Sequence, residues 1–201
     1  MTRSPVVYST SVEALFVREL GPRMPRRLRE RLREVGLDLD RPLEPSYPLE
    51  RWKGFVREAA RELYPRLPPE DAYSHLGMAF MDGFLKTFIG KATMSVLRVM
   101  GPRRGLKRLS QNLRAGNNFS EVRWVEHGPT EVDIWLNDVF ADHPAFAAAL
   151  ICRGHTENGA RDVRVDALDF DGTAATLRVR WAEAPAQRVA AASGGFWRPG
   201  T

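Results

Sequence analysis

Four histidines, a single cysteine and one dense run of cations are the residues of this sequence most able to do chemistry. The cations lie in "GPRRGLKRLSQNLRAGNNFSEV", residues 101–122, where Arg103, Arg104, Lys107, Arg108 and Arg114 sit between glycine breaks, with Arg123 just beyond. A phosphate-binding loop would need G-x-x-x-x-G-K-[ST] between a strand and a helix. Here Gly101 and Gly105 are too close, Leu106 intervenes before Lys107, and the preceding segment is helical. A nucleic-acid surface is the harder alternative, since Leu106, Leu109 and Leu113 would pack inward and leave the cations facing phosphates. No helix-turn-helix precedes the stretch, and no aromatic ladder interleaves its charges as single-strand binding requires. The pattern reads as a solvated helix collar. A basic nucleic-acid surface built from residues 101–114 and 23–33 stays as the alternative.

His75, His127, His143 and His155 show no i, i+4 pairing with a carboxylate, so no zinc site is expected. His127 falls in a turn and His143 beside a helix cap, both solvated positions. His75 begins a long apolar helix and would either ligate haem iron or make one core hydrogen bond. The second is the expectation, so no cofactor is assigned. Cys152 has Arg153 beside it and His155 near, which would suit a thiol of lowered pKa only if a base were oriented in space. A buried structural cysteine is expected instead. With no G-x-S-x-G elbow and acids scattered over exposed positions, no catalytic residue is assigned and no enzyme is expected.

The aromatic residues say more. Phe80, Phe84 and Phe88 recur at i, i+4 and i+8, with Met81 and Met94 nearby. Core packing is the plain account of such a stripe. The functional one is an apolar ligand pocket between this helix and a sheet, lined by Phe80, Phe84, Phe88, Trp124 and Trp135. Trp135 alternates away from Ile134 and would equally face a dimer partner.

The elements that must position these residues follow from periodicity. "SVEALFVREL" is helical, with Ser9, Thr10 or Ser11 as N-cap and Gly21-Pro22 as stop. "PRRLRERLREVG" and "LERWKGFVREAAREL" give two amphipathic helices. Residues 70–100 read as one long helix, apolar nearly all round and so central. Its Gly77, Gly83 and Gly90 each cost about 1 kcal/mol against Ala, which close approach of another backbone, or room for a ligand, would explain. "RRGLKRLSQNLRAG" is a last helix of this half. Alternation then takes over: "NFSEVRWVEHGPTEVDIWLNDV" is a hairpin turning at His127–Thr130. Asp142 and Pro144 start a short helix, and "RDVRVDALDFDGTAATLRVRW" is a second hairpin turning at Asp171-Gly172. Helices first and then ββαββ predict an α+β domain over 1–181, N-terminal helices on one face of a four-stranded antiparallel sheet, with a flexible tail over 182–201.

Composition sets the outer bounds. The 201 residues, 43% hydrophobic and 27% charged, suffice for one well-buried core but not two. No 18-residue uncharged apolar run and no secretory leader are visible, so a cytoplasmic protein without a membrane span is expected. One cysteine leaves no intramolecular disulfide. The basic residues are 26 Arg and 4 Lys, a bias that reflects a GC-rich genome before any selection for phosphate. Residues 1–118 carry +9 and residues 119–201 carry −4, an asymmetry suited to a charged partner or to a second copy of the chain.

The segments "VEALFVREL", "GLDLDRPLEPSYPLERW", "GPRRGLKRL", "NLRAGNNFSEVRW" and "IWLNDV" together resemble an uncharacterised paralogous family of short proteins expanded in myxobacteria, over about residues 6–181. The architecture is similar to a wider superfamily of haem–nitric-oxide sensors, vinyl-reductase-type small-molecule domains and TRAPP trafficking subunits. That resemblance implies binding or scaffolding, an apolar pocket and frequent dimers. The haem branch carries a Tyr-x-Ser-x-Arg signature that is missing here, Tyr73-Ser74-His75 being too compressed, so haem through His75 is not expected. Together these readings describe a non-catalytic sensory or adaptor domain that binds an apolar or amphipathic small molecule and signals to a protein partner, as a homodimer. A purely structural homodimer or scaffold is a further alternative.

Overall fold

The computed structural model describes residues 4–182; the tail expected over 182–201 falls, after Ala182, outside the described residues. The chain opens with β1 (Val6–Tyr8) and α1 (Ser9–Val12), which runs on as a π-helical segment over Glu13–Glu19. Next come α2 (Arg26–Glu34), β2 (Ser46–Pro48), α3 (Leu49–Leu63), α4 (Pro69–Lys86) and α5 (Phe88–Met100). Two short helices follow, α6 (Pro102–Lys107) and α7 (Leu109–Arg114). The second half is β3 (Val122–Gly128), β4 (Glu131–Leu136), α8 (Pro144–Glu157), β5 (Arg161–Phe170) and β6 (Ala175–Ala182).

The α+β class and the four-stranded sheet are as expected. The sheet runs β3-β4-β6-β5 with every pair antiparallel, so the second hairpin enters through β6 and leaves β3 and β5 as edges. Period-two alternation buries Val132, Ile134 and Leu136 of β4 and Leu177, Val179 and Trp181 of β6 on one face. These join the helical residues in one core around Phe16, Trp52, Phe55 and Phe146.

Four local readings change. The long helix is two, broken at Thr87, whose hydroxyl donates to the Phe84 carbonyl at 2.7 Å and accepts from Gly90 N–H at 2.9 Å. That is an N-cap inside an apolar run, which periodicity passes over. Only α4 is central; α5 turns Phe88 and Val99 to solvent. The cationic helix likewise breaks at Arg108 into α6 and α7. Asp142 does not cap α8: His143 does, its Nδ1 accepting from Ala145 N–H at 3.2 Å, while Asp142 accepts from Arg57 and Tyr73. The hydroxyls of Thr10 and Ser11 do not cap α1 but bind the carbonyls of Ala115 and Gly116.

Close backbone approach, not ligand space, explains the glycines. A Cβ on Gly77 would collide with the Phe146 carbonyl of α8, and one on Gly83 with the Ala14 carbonyl of the π-helical segment. α4 is thereby drawn against both neighbours.

Candidate functional site

An apolar cavity of about 110 Å³ lies among the helices. α4 contributes Phe80, Met81 and Phe84; α5 contributes Thr93, Met94 and Leu97; α6 and α7 contribute Gly105, Leu106, Leu109 and Leu113. α8 closes it with Phe146, Leu150, Ile151 and Gly154. Among the described residues no Asp, Glu, Lys or Arg lines it. The expected pocket lay between the long helix and the sheet, but α8 packs on β5 and β6, α6 and α7 lie beside β3 and β4, and none of the described residues of the four-stranded sheet reaches the cavity. The α5 wall is held by its own small cluster, Met81, Met94 and Leu97, packed with Phe84 and Leu85.

The aromatic end is rigid. Trp52 meets Phe16, Phe80 and Phe146 edge-on, with centroids 5.9, 5.9 and 6.5 Å away. Its Nε1–H donates to the Phe140 carbonyl at 2.7 Å. Phe140 has φ 65°, a left-handed conformation costing about 1–3 kcal/mol in a bulky residue. Asp138 holds it there: Oδ1 accepts from Phe140 N–H at 2.7 Å, and Oδ2 accepts from the buried Lys53 ammonium at 2.8 Å. Lys53 and Trp52 are adjacent on α3, so one turn of helix sets both the ion pair and the ring.

The other end carries two polar residues. His155 and Asn158, only 4% and 5% exposed, both line the cavity. His155 lies in the last turn of α8, and Asn158, three positions on, is the C-cap residue of that helix. His155 Nε2 and Asn158 Oδ1 are fully buried and find no hydrogen-bond partner among the described residues. Such a group costs about 1–3 kcal/mol while unsatisfied, and native proteins contain few. The His155 ring stands edge-on to Trp181 at 4.7 Å, and burial pulls its pKa from 6.5 to about 4, so the imidazole is neutral at pH 7. Asn158 donates through Nδ2 to the Gly101 carbonyl at 3.1 Å, tying α8 to the joint between α5 and α6. Its amide lies against Gly105, where a Cβ would strike it.

Of the aromatic residues read from sequence as pocket-lining, the structure brings only Phe80 and Phe84 to the cavity. Phe88, just past the Thr87 break, is 87% exposed. Trp124 lies on edge strand β3 beneath the Lys107 ammonium, 4.9 Å from its ring. Trp135 is on the opposite face of the sheet under Arg123. His155 and Asn158 were missed as site residues. The signal was the stripe Ala147, Leu150, Ile151, Gly154, His155, Asn158, an i, i+3, i+4, i+7, i+8, i+11 face whose last two members are polar.

The basic collar is largely engaged within the molecule. Arg103 and Lys107 pair with Glu126 of β3 at 2.5 and 3.0 Å. Arg108 donates to Gln111, and Arg114 to the Ser120 carbonyl. The Glu126 pairs hold α6 against the sheet edge, and Arg114 ties α7 to the segment that precedes β3. Cys152 is half-buried, donates to the Val163 carbonyl and has its pKa raised by burial, the opposite of an activated thiol. Among the described residues no group of three or more His, Cys, Asp or Glu could hold a metal ion, and no helix is long and apolar enough to cross a membrane.

Helices gathered on one face of a four-stranded antiparallel sheet around an interior cavity are the fold of the H-NOX proteins. The unliganded Fe(II) H-NOX protein of K. algicida superposes with a TM-score of 0.62 at 8% identity, covering 88% of this chain and 96% of that one. The S. oneidensis H-NOX protein in its Fe(II)NO ligation state gives 0.59 at 11%, covering 88% and 99%. A structure from a study of heme distortion in the H-NOX family gives 0.56 at 12%, covering 86% and 93%. At such identities the likeness is one of fold. By sequence the chain belongs to the family described as protein of unknown function (DUF2378), whose model matches residues 5–182. Among curated proteins none matches it.

These neighbours overturn the expectation that no cofactor is involved: the fold is one whose solved members are recorded with Fe(II) and with heme. His75, the histidine weighed for iron, is away from the cavity and stacked on Tyr64 at 5.0 Å. The cavity's own imidazole is His155, and a neutral ring with an unengaged Nε2 is the form that ligates metal. The residue type therefore fits haem iron, although Nε2 itself is fully buried. The space does not in this arrangement, because a cavity of roughly 150 Å³ accommodates benzene, and no cation lines this one to meet propionates.

Proposed function

We propose that the chain is a non-catalytic sensory domain whose cavity binds an apolar or amphipathic small molecule and whose α5 reports occupancy to a protein partner. The observation that carries this reading is a cavity walled mainly by apolar side chains of α4, α5, α7 and α8, with no Asp, Glu, Lys or Arg among its described lining residues. Support for the signalling part comes from α5, which presents Thr93, Met94 and Leu97 to the cavity while Phe88 and Val99 are 87% and 88% exposed on its outer side. A ligand that shifts α5 alters the surface a partner sees, and it does so only through different affinity for the two positions. That partner is a second copy of the chain or a separate signalling protein.

A second reading is supported by one residue. The neutral imidazole of His155, in a fold shared with H-NOX proteins, is the residue that would hold haem iron were the cavity to widen enough to admit the group. Native mass spectrometry and an absorbance scan on protein purified from its own host separate the two. The first reading expects a small excess mass, lost on denaturation, and no Soret band. A Soret band that disappears in His155→Leu moves the function to the second reading. Bare chain masses with a featureless spectrum overturn both.

A further inference from the structure

α5 presents apolar side chains on two sides. Met94 and Leu97 are buried against α4. On the other side Phe88, Ala92, Val96 and Val99, at i, i+4, i+8 and i+11, form one exposed row with Ile89 at its margin. An exposed apolar patch of this kind marks a contact surface. We propose that this face of α5 docks on an anionic lipid surface, its apolar row inserted at the headgroup boundary and its cations against the lipid phosphates. The inference goes beyond the sensory reading and does not depend on what fills the cavity.

Charge identifies the occupant. Residues 83–120, from the last turn of α4 past the end of α7, hold eight cations and no Asp or Glu. Some of these cations reach acids on other elements, but each such acid is shared. Glu19 takes Lys86 and Arg23, Glu157 takes Arg98 and Arg153, and Glu126 takes Arg103 and Lys107. Lys91, Arg104 and Arg108 are exposed and form no ion pair among the described residues. Lys91 and Arg98, seven positions apart, run along one flank of the apolar row. Arg108 lies at its foot, 3.7 Å from Met100 Sδ.

Other occupants match this face less well. A second copy of α5 would set Lys91 and Arg98 against the same cations, with no acid between them. The acids of the sheet are already held, Asp133 by Arg178 and both Glu131 and Asp166 by Arg180. Residues 183–201 bring Arg188 and Arg198 against one acid, Glu183. A separate protein binds most strongly through a central Trp, Tyr or Arg anchor. Here the two most exposed side chains, Phe88 and Val99, stand at the ends of the row and Ala92 and Ser95 occupy its middle. A flat lipid surface needs no central anchor. A chain docked this way has α5 covered, so lipid and a protein partner of α5 exclude one another.

Flotation of the full chain with phosphatidylcholine vesicles, with and without phosphatidylserine, tests the proposal. Binding should be at least about tenfold tighter with phosphatidylserine and should weaken as salt is raised. Lys91→Gln and Arg104→Gln should each weaken it about fivefold. Phe88→Ser, at a position outside the core, should weaken it about tenfold. Absence of flotation with either vesicle, binding indifferent to phosphatidylserine, or unchanged binding by Phe88→Ser overturns the proposal. Phe88→p-benzoylphenylalanine, photolysed in the host cell, should label lipid. Labelling of an acidic protein or of a second copy as the main product overturns the lipid surface and makes this face a protein interface.

Discussion

Replacing Lys53 with methionine should destabilise the protein by about 3–5 kcal/mol, because it strands the Asp138 carboxylate in the interior with only the Phe140 N–H for company. For a chain of this size that is a fall in Tm of roughly 10 °C. The loss should fall on the aromatic end of the cavity, because Asp138 holds Phe140 in its left-handed conformation and Phe140 accepts from Trp52. Lys53→Met combined with Asp138→Asn removes the stranded charge while keeping an oxygen for Phe140 N–H. The double variant should recover more than half of the loss in urea unfolding. A single variant within 1 kcal/mol of wild type would mean that the pair is not buried as described.

The second large effect is acid instability from His155. Burial lowers its pKa from 6.5 to about 4, so between those values the unfolded chain carries a proton there that the native chain refuses. Where the unfolded state binds more protons, stability falls as pH falls. The His155 contribution is complete above pH 6.5 and is lost progressively down to about pH 4, a total of about 3 kcal/mol. Asp133 acts in a separate window. Its hydrogen bond with the Arg178 guanidinium holds its pKa near 2, below the ordinary 3.8, so its stabilisation is lost only in stronger acid. Urea midpoints for His155→Leu should therefore stay nearly flat from pH 6.5 to 4.5 where wild type declines. Parallel declines in the two proteins would show that His155 is solvated.

Much of the architecture was legible because it rests on strong periodicity. The alternation of Val132, Ile134 and Leu136 against Leu177, Val179 and Trp181 fixed both hairpins and their inward face. What escaped was decided by single side chains. Thr87 ends α4 through two hydrogen bonds to backbone groups three residues away, and nothing in an apolar stripe announces them. The aromatic readings divided on the same point. Phe80 and Phe84 precede the break and face the cavity, whereas Phe88 follows it and faces solvent. Trp124 and Trp135 were placed by assuming the cavity touched the sheet, a space α6, α7 and α8 occupy. His155 looked like a neighbour for Cys152 because it was read along the sequence. On the helix it is the polar end of the Ala147–Asn158 stripe, beside a glycine. Glu126 showed no sequence signal linking it to Arg103 and Lys107, because that contact is between elements that meet only in three dimensions.

The most direct test of the cavity as a small-molecule site uses its two methionines. In a chain labelled with 13C at the methionine methyls, toluene should shift the Met81 and Met94 signals saturably through the ring current, since both residues line the cavity. Met24, Met78 and Met100, which do not line it, should stay in place. Absence of any shift at Met81 and Met94, or an unsaturable drift shared by all the methyls, would contradict the account.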